Sequence, residues 1–168
     1  MSRRSTNSLA LFLRVALAAG FLSAVADRFG WWGAPGTRGV AWGSFARFQA
    51  YTGRLTPWAP AALTPALAWT ATAAEMSFSL LLLMGLGCRL AAAGAGVLLL
   101  SFAVGMSLDA GIKSPLDYSV FAAAGSAFAL CSIGAGDWSL DAKRVPISAG
   151  SVSGEPHQPP SRESPSRP

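Results

Sequence analysis

Long stretches without charge are the feature that most restricts what this chain can fold into. Of its 168 residues, 52% are hydrophobic and 12% are charged, whereas a soluble domain carries about 25% charged residues. The apolar residues form four runs of roughly the 20 residues that a helix needs to cross about 30 Å of hydrocarbon. The runs cover approximately Leu9–Ala26, Pro65–Leu86, Leu90–Leu108 and Pro115–Gly134. The sequence therefore predicts an all-α integral membrane protein with a four-helix bundle.

Three regions follow from the distribution of these runs. Residues 1–8 form a basic N-terminal segment, and residues 9–136 form the transmembrane bundle. Residues 137–168 are rich in proline and serine, contain little apolar surface to bury, and are predicted to be a disordered tail. No run alternates polar and apolar residues as the strands of a membrane barrel do.

The first run has a second interpretation as a cleaved signal peptide. It follows the basic start "MSRR", and Ala24-Val25-Ala26 has the small-x-small pattern of a signal-peptidase site. Arg14 would interrupt the apolar centre of such a signal, so we favour a retained helix.

Local signals mark where the helices begin and turn. Thr64-Pro65 is typical of a helix start, and "SPLD" predicts Ser114 as the N-cap of the fourth helix, with Pro115 and Asp117 in its first turn. Only residues 87–89 separate the second and third runs, which predicts a tight antiparallel hairpin.

The segment between the first two runs is predicted to lie at the membrane interface. It holds four of the six tryptophans, which prefer the headgroup zone. Within it, Phe45, Phe48, Thr52 and Leu55 recur at steps of three and four residues, which favours a short amphipathic helix. This helix is interpreted either as a simple anchor, which we favour, or as a lid over the mouth of the bundle.

Two isolated opposite charges lie within the runs, Arg14 in the first and Glu75 in the second. A lone charge in hydrocarbon is costly, so we expect both to face the bundle interior and to pair with each other. Glu75 shares a small, polar helix face with Thr72 and Ser79. Two interpretations stay open: an ion pair that only fixes the first helix against the second, and a polar site for protons or headgroups.

Other functional classes find little support in the sequence. The basic residues are scattered singly, without the basic stripe of a nucleic-acid-binding protein. The only histidine, His157, lies in the tail, so bis-histidine haem is excluded and no metal site is predicted. Cys88 and Cys131 form no CxxC motif and are interpreted as small apolar residues.

Membrane orientation rests on the N-terminus. Basic residues flanking the runs are balanced between the two sides, five against five, by the count of the sequence. Because Arg3 and Arg4 directly precede the first helix, which often dominates, we expect both termini to be cytoplasmic. The predicted location is the cell inner membrane, with the lipid bilayer as the main partner.

Three stretches resemble the DoxX-like family of small bacterial four-helix membrane proteins. They are "LFLRVALAAGFLSAVADRFG", "LAWTATAAEMSFSLLLLMGLGCRLAAAGAGVLLL" and, most specifically, "GIKSPLDYSVFAAAGSAFAL". Together they cover about residues 8–136. Ala24 and Val25 depart from the pattern, since members often have glycine there.

The resemblance implies a redox-linked membrane subunit that interacts with quinol or with a thiol and oxidative-stress system. Carried over by position, the family pattern selects Arg14, Glu75, Asp27 and Asp117. Quinone is the one cofactor that the resemblance implies, and a membrane or soluble oxidoreductase is the implied partner. The alternative is a non-catalytic membrane partner or scaffold in which the Arg14–Glu75 pair is only structural.

Overall fold

The architecture is helical throughout the part of the chain that the structure describes. A computed structural model describes residues 2–144, with no strand among them. The elements are α1 (Arg3–Arg28), α2 (Phe45–Leu55), a 3-10 turn (Ala61–Leu63), α3 (Thr64–Met84), α4 (Cys88–Ala110), α5 (Lys113–Asp117), α6 (Val120–Ile133) and α7 (Leu140–Arg144). The predicted all-α class is confirmed. Residues 145–168, which include His157 and most of the predicted tail, lie outside the described range.

Three helical segments are long and apolar enough to cross a membrane. They are α1, the 3-10 turn together with α3, and α4. The predicted starts and ends agree with the structure to within a few residues, except that α1 begins at Arg3 and extends to Arg28. The three-residue link between α3 and α4 confirms the predicted tight hairpin.

The fourth apolar run folds differently from its prediction. It is divided into the single-turn α5 and the 14-residue α6, and 14 residues span only about 21 Å. Ser119 separates them with a φ of +55°, a left-handed conformation that interrupts the helix. The predicted N-cap is also wrong: α5 begins one residue before Ser114, and Ile112 precedes it without a side-chain cap.

Helix packing depends on small residues along α4. Ala91, Ala92 and Ala95 are buried in the main apolar cluster, where they permit close approach of the neighbouring helices. A Cβ on Gly94 would lie 2.6 Å from the Phe78 ring of α3, and one on Gly96 would lie 2.8 Å from the Phe128 ring of α6. These aromatic rings therefore occupy positions that only glycine leaves free.

Arg14 closes one end of this bundle. Its Nε donates to the Leu82 carbonyl at 2.7 Å and its Nη2 to the Leu83 carbonyl at 2.8 Å, at the last turn of α3. Its Nη1 donates to the carbonyls of Ala135 and Trp138, which follow α6. The guanidinium thus satisfies two carbonyls at the end of α3, where a positive charge is also favoured by the helix dipole, and two in the segment after α6.

The segment after α6 is part of this closed end. Asp137 accepts a hydrogen bond from the Asn7 amide at 2.6 Å. Asp141 accepts from the backbone N–H groups of Gly87 and Cys88, and so caps the start of α4. Residues 137–141 therefore contact the bundle, and short-range composition does not reveal these long-range contacts.

We expect Arg14→Lys to destabilise the protein although it keeps the charge. An ammonium group lacks the planar fork that reaches carbonyls on two segments at once, and hydrogen bonds to charged groups contribute about 1.5–3 kcal/mol each. A lowered melting temperature in detergent is the expected measurement. Arg4→Lys, at an exposed position of the same helix, is the matched control and should melt like the wild type.

We expect Asp141→Ala to lower the free energy of unfolding by about 1 kcal/mol, the typical contribution of an N-cap side chain. Lys143→Ala, two residues away and exposed, should leave it unchanged. Equal melting of both variants would show that Asp141 does not hold α4.

Candidate functional site

The buried ion pair of the bundle joins Arg28 to Glu75. Arg28 Nη2 lies 2.6 Å from Glu75 Oε1, and the two side chains are 2% and 1% exposed. Arg28 Nη1 also donates to Thr72 Oγ1 at 2.8 Å. The pair therefore links the last turn of α1 to the middle of α3.

The predicted pairing of Arg14 with Glu75 is wrong. Arg14 is buried as expected, but it reaches the C-terminal end of α3 instead. Arg28 lies about four turns, or about 21 Å, further along α1, at the level of Glu75. Arg28 is buried because α1 continues as a helix through it and Phe48 of α2 covers its guanidinium.

Aromatic rings enclose the Arg28 guanidinium. Its Cζ lies 3.7 Å from the centroid of the Phe48 ring and 5.4 Å from that of Trp42. A cation over an aromatic face gains about 2 kcal/mol when both are desolvated. Phe48 belongs to α2, so the cation also fixes the predicted amphipathic helix onto the bundle. The predicted helix is confirmed, with Phe48, Thr52 and Leu55 buried.

Asp27 positions the loop beside this pair. Its Oδ2 accepts hydrogen bonds from the backbone N–H groups of Ala41 and Trp42, at 3.1 and 2.9 Å. The loop is thereby held with Trp42 packed edge-on to the Phe48 ring. Trp42 is half-buried, whereas Trp31, Trp32 and Trp58 are exposed, as an interfacial position would require.

Hydrogen bonding around the pair is incomplete. Within residues 2–144, Glu75 Oε2, Arg28 Nε and Asp27 Oδ1 are buried and have no hydrogen-bond partner. A buried polar group without a partner costs about 1–3 kcal/mol, more when it is charged. The site therefore offers one free acceptor on Glu75 and one free donor on Arg28.

A large groove adjoins the pair. Its volume is about 1450 Å³, and both Arg28 and Glu75 contribute to its lining. Apolar residues of α1, α4 and the first half of α6 contribute much of its lining, including Phe12, Leu13, Val97, Leu100 and Ala123. The polar part of the groove at Arg28 and the closed end at Arg14 lie toward opposite ends of the bundle.

Polar side chains gather where α2 covers the groove. Tyr51, Arg47 and Arg54 line this end. Burial, with a smaller contribution from Asp109, raises the pKa of Tyr51, so its phenol stays protonated at neutral pH. Arg54 makes two hydrogen bonds to Asp109, at 3.0 and 2.6 Å, and so ties α2 to α4.

Of the other predicted site residues, one joins the ion pair and the rest take no part in it. Thr72 joins the site as the second acceptor for Arg28. Ser79 is buried, but its hydroxyl donates to the Glu75 carbonyl of its own helix. Asp117 is exposed and pairs with Lys113, outside the site. Cys88 and Cys131 are both free and pack in the apolar cluster near the Arg14 end.

One sequence signal could have identified Arg28. It follows Arg14 at close to a whole number of helical turns, so both arginines lie on the same side of a continuous α1. The contribution of Phe48 and Trp42 had no such signal, because it depends on how the loop and α2 fold back.

Comparisons with protein-family models, curated proteins and solved structures find no match to this chain. The class that the fold defines is a helical protein with three segments able to span a membrane, and its candidate site is a buried ion pair beside an apolar groove.

We expect Arg28→Met and Glu75→Gln to be coupled in a double-mutant cycle. Each single change leaves a buried partner uncompensated, which costs about 3–5 kcal/mol, whereas the double variant leaves only a neutral amide. The double variant should therefore unfold at a higher temperature than the Arg28→Met single variant.

Arg14→Met with Glu75→Gln provides the matched control cycle. These side chains do not touch, so their effects should add within about 0.5 kcal/mol. Coupling in this second cycle, with additivity in the first, would contradict the pairing described above.

Proposed function

We propose that this protein is a membrane protein that binds an amphipathic molecule of the quinol class in its groove. The ligand hydroxyl donates to Glu75 Oε2, and the apolar part of the ligand lies along the groove. The observation that carries the proposal is the buried, unpartnered Glu75 oxygen beside about 1450 Å³ of mostly apolar space. Ligand pockets typically combine apolar walls with a few polar groups in this way.

The two free atoms suit both forms of such a ligand. A quinol hydroxyl needs an acceptor, which Glu75 Oε2 provides, and a quinone carbonyl needs a donor, which Arg28 Nε provides. The ion pair keeps both groups oriented, since each uses its other atoms to hold its partner. The DoxX-like resemblance, with its redox-linked role and an oxidoreductase partner, is part of this proposal.

The proposed location is the bacterial inner membrane with both termini in the cytoplasm. The contact between Asn7 and Asp137 supports a common side, because it joins the start of α1 to the segment after α6. The basic Arg3 and Arg4 before the apolar run support the cytoplasmic side.

A second candidate function is a non-catalytic membrane scaffold. It is favoured by the number of elements that Arg28 joins: Thr72 and Glu75 of α3, Phe48 of α2 and Trp42 of the preceding loop. In this case the pair specifies helix packing and binds no ligand.

Titration of the purified protein with a quinol, followed by tryptophan fluorescence, separates the two functions. We expect saturable quenching in the wild type, since Trp42 and Trp58 line the groove. The double variant Arg28→Met/Glu75→Gln should bind about tenfold to hundredfold more weakly, which corresponds to one lost hydrogen bond to a charged group.

Ser79→Ala is the control for that titration. Ser79 lies one turn from Glu75 on the same buried face, and its hydroxyl bonds only within α3. It should bind like the wild type. Absence of saturable binding in the wild type would favour the scaffold.

A further inference from the structure

The groove is longer than the headgroup of a quinol requires. Along α1 its lining extends from Phe12 to Arg28, which corresponds to about 24 Å at 1.5 Å per residue. One leaflet of a bilayer provides only about 15 Å of hydrocarbon depth. The volume of about 1450 Å³ also exceeds the roughly 300–1,000 Å³ of pockets for drug-sized ligands.

Polarity changes along this length. The end under α2 carries Arg28, Glu75, Tyr51 and the exposed Arg47, whereas the α1 lining from Phe12 to Ala24 is entirely apolar. The hydroxyls of Ser101 and Ser126 also line the groove, but each bonds a carbonyl of its own helix. The part of the groove away from Arg28 therefore offers no free hydrogen-bonding groups and suits a hydrocarbon chain.

Only the first half of α6 contributes to the groove. Val120, Ala123 and Ser126, from the first half of α6, line it, while Ala127 and Leu130, further along, are fully buried in the apolar cluster. The second half of α6 is thus packed in the apolar cluster, whereas its first half lines the groove.

We infer that the groove binds a lipid with a hydroxyl-bearing head and a single chain longer than one leaflet, with the head at Glu75 and the chain end near Phe12. The inference rests on the proposed function and adds the ligand's chain length and direction. A long-chain isoprenoid quinol and a polyprenol share this chemistry. An anionic headgroup is disfavoured because the free oxygen belongs to a carboxylate.

Photolabelling of the full-length protein in lipid nanodiscs tests this assignment. One probe is a quinol with a decaprenyl tail and a diazirine at the chain end; a second carries the diazirine on the head. We expect the tail-end probe to label Phe12, Leu13 or Ala16, and the head probe to label α2 or residues near Glu75. If unlabelled quinol competes with the probes and polyprenol does not, the site is specific for quinol. If polyprenol competes equally well, the site recognises any long chain with a hydroxyl-bearing head. Either result supports the inference.

Two glycines provide matched variants. A Cβ on Gly20 or on Gly125 meets no atom within 4 Å, but only Gly20 lines the groove. Gly20→Leu should lower tail-end labelling about tenfold, a typical effect of one overpacking side chain. Gly125→Leu should not change it.

The outcomes separate this inference from the proposed function. Head labelling near Glu75 without chain-end labelling near Phe12 would overturn the long-chain assignment and leave the proposed function intact. Chain-end labelling that is unchanged in Gly20→Leu would also overturn it. Labelling by neither probe would overturn both.

Discussion

Two buried arginines on one helix constrain the arrangement of the bundle. Arg14 and Arg28 are each 2% exposed, and a buried guanidinium must be given partners for its charge and its N–H groups. The chain does this in two ways. Arg14 is surrounded by four backbone carbonyls, two at the end of α3 and two in the segment after α6, whereas Arg28 has one carboxylate, one hydroxyl and two aromatic faces.

The different partners of Arg14 and Arg28 explain why the packing differs at the two ends of the bundle. Carbonyl groups belong to the backbone, so satisfying Arg14 draws the end of α3 and the segment after α6 against α1. Close contact follows, and a Cβ on Gly85 would lie only 2.6 Å from the guanidinium. The partners of Arg28 are side chains, which reach it from α2, α3 and the preceding loop. The polar part of the groove lies at this end.

The sequence was sufficient for the features that depend on local composition. Apolar runs located α1, α3 and α4, and the spacing of Phe48, Thr52 and Leu55 located α2. It was insufficient where tertiary contacts decide. Ser119 breaks the fourth run through its backbone conformation, which hydropathy does not register. The partner of Glu75 was missed because Arg28 lies beyond the predicted end of the first run at Ala26, whereas α1 continues to Arg28, which is buried under α2. The quinol ligand, the oxidoreductase partner and the membrane orientation of the termini stay predictions.

Hydrogen bonding is incomplete at Arg28 but complete at Arg14, and this difference supports the proposed binding site. At Arg14, the same fold provides four acceptors for a guanidinium, and none of its nitrogens is left buried without a partner among the described residues. The bundle is therefore able to satisfy a buried cation fully. At the other end, three atoms of Asp27, Arg28 and Glu75 are left without a hydrogen-bond partner among the described residues, beside a groove of about 1450 Å³. Unsatisfied groups lower stability, and a bound ligand recovers that loss by supplying the missing partners. A purely structural ion pair gains nothing from leaving these atoms free, and this contrast is the support for the proposed binding site.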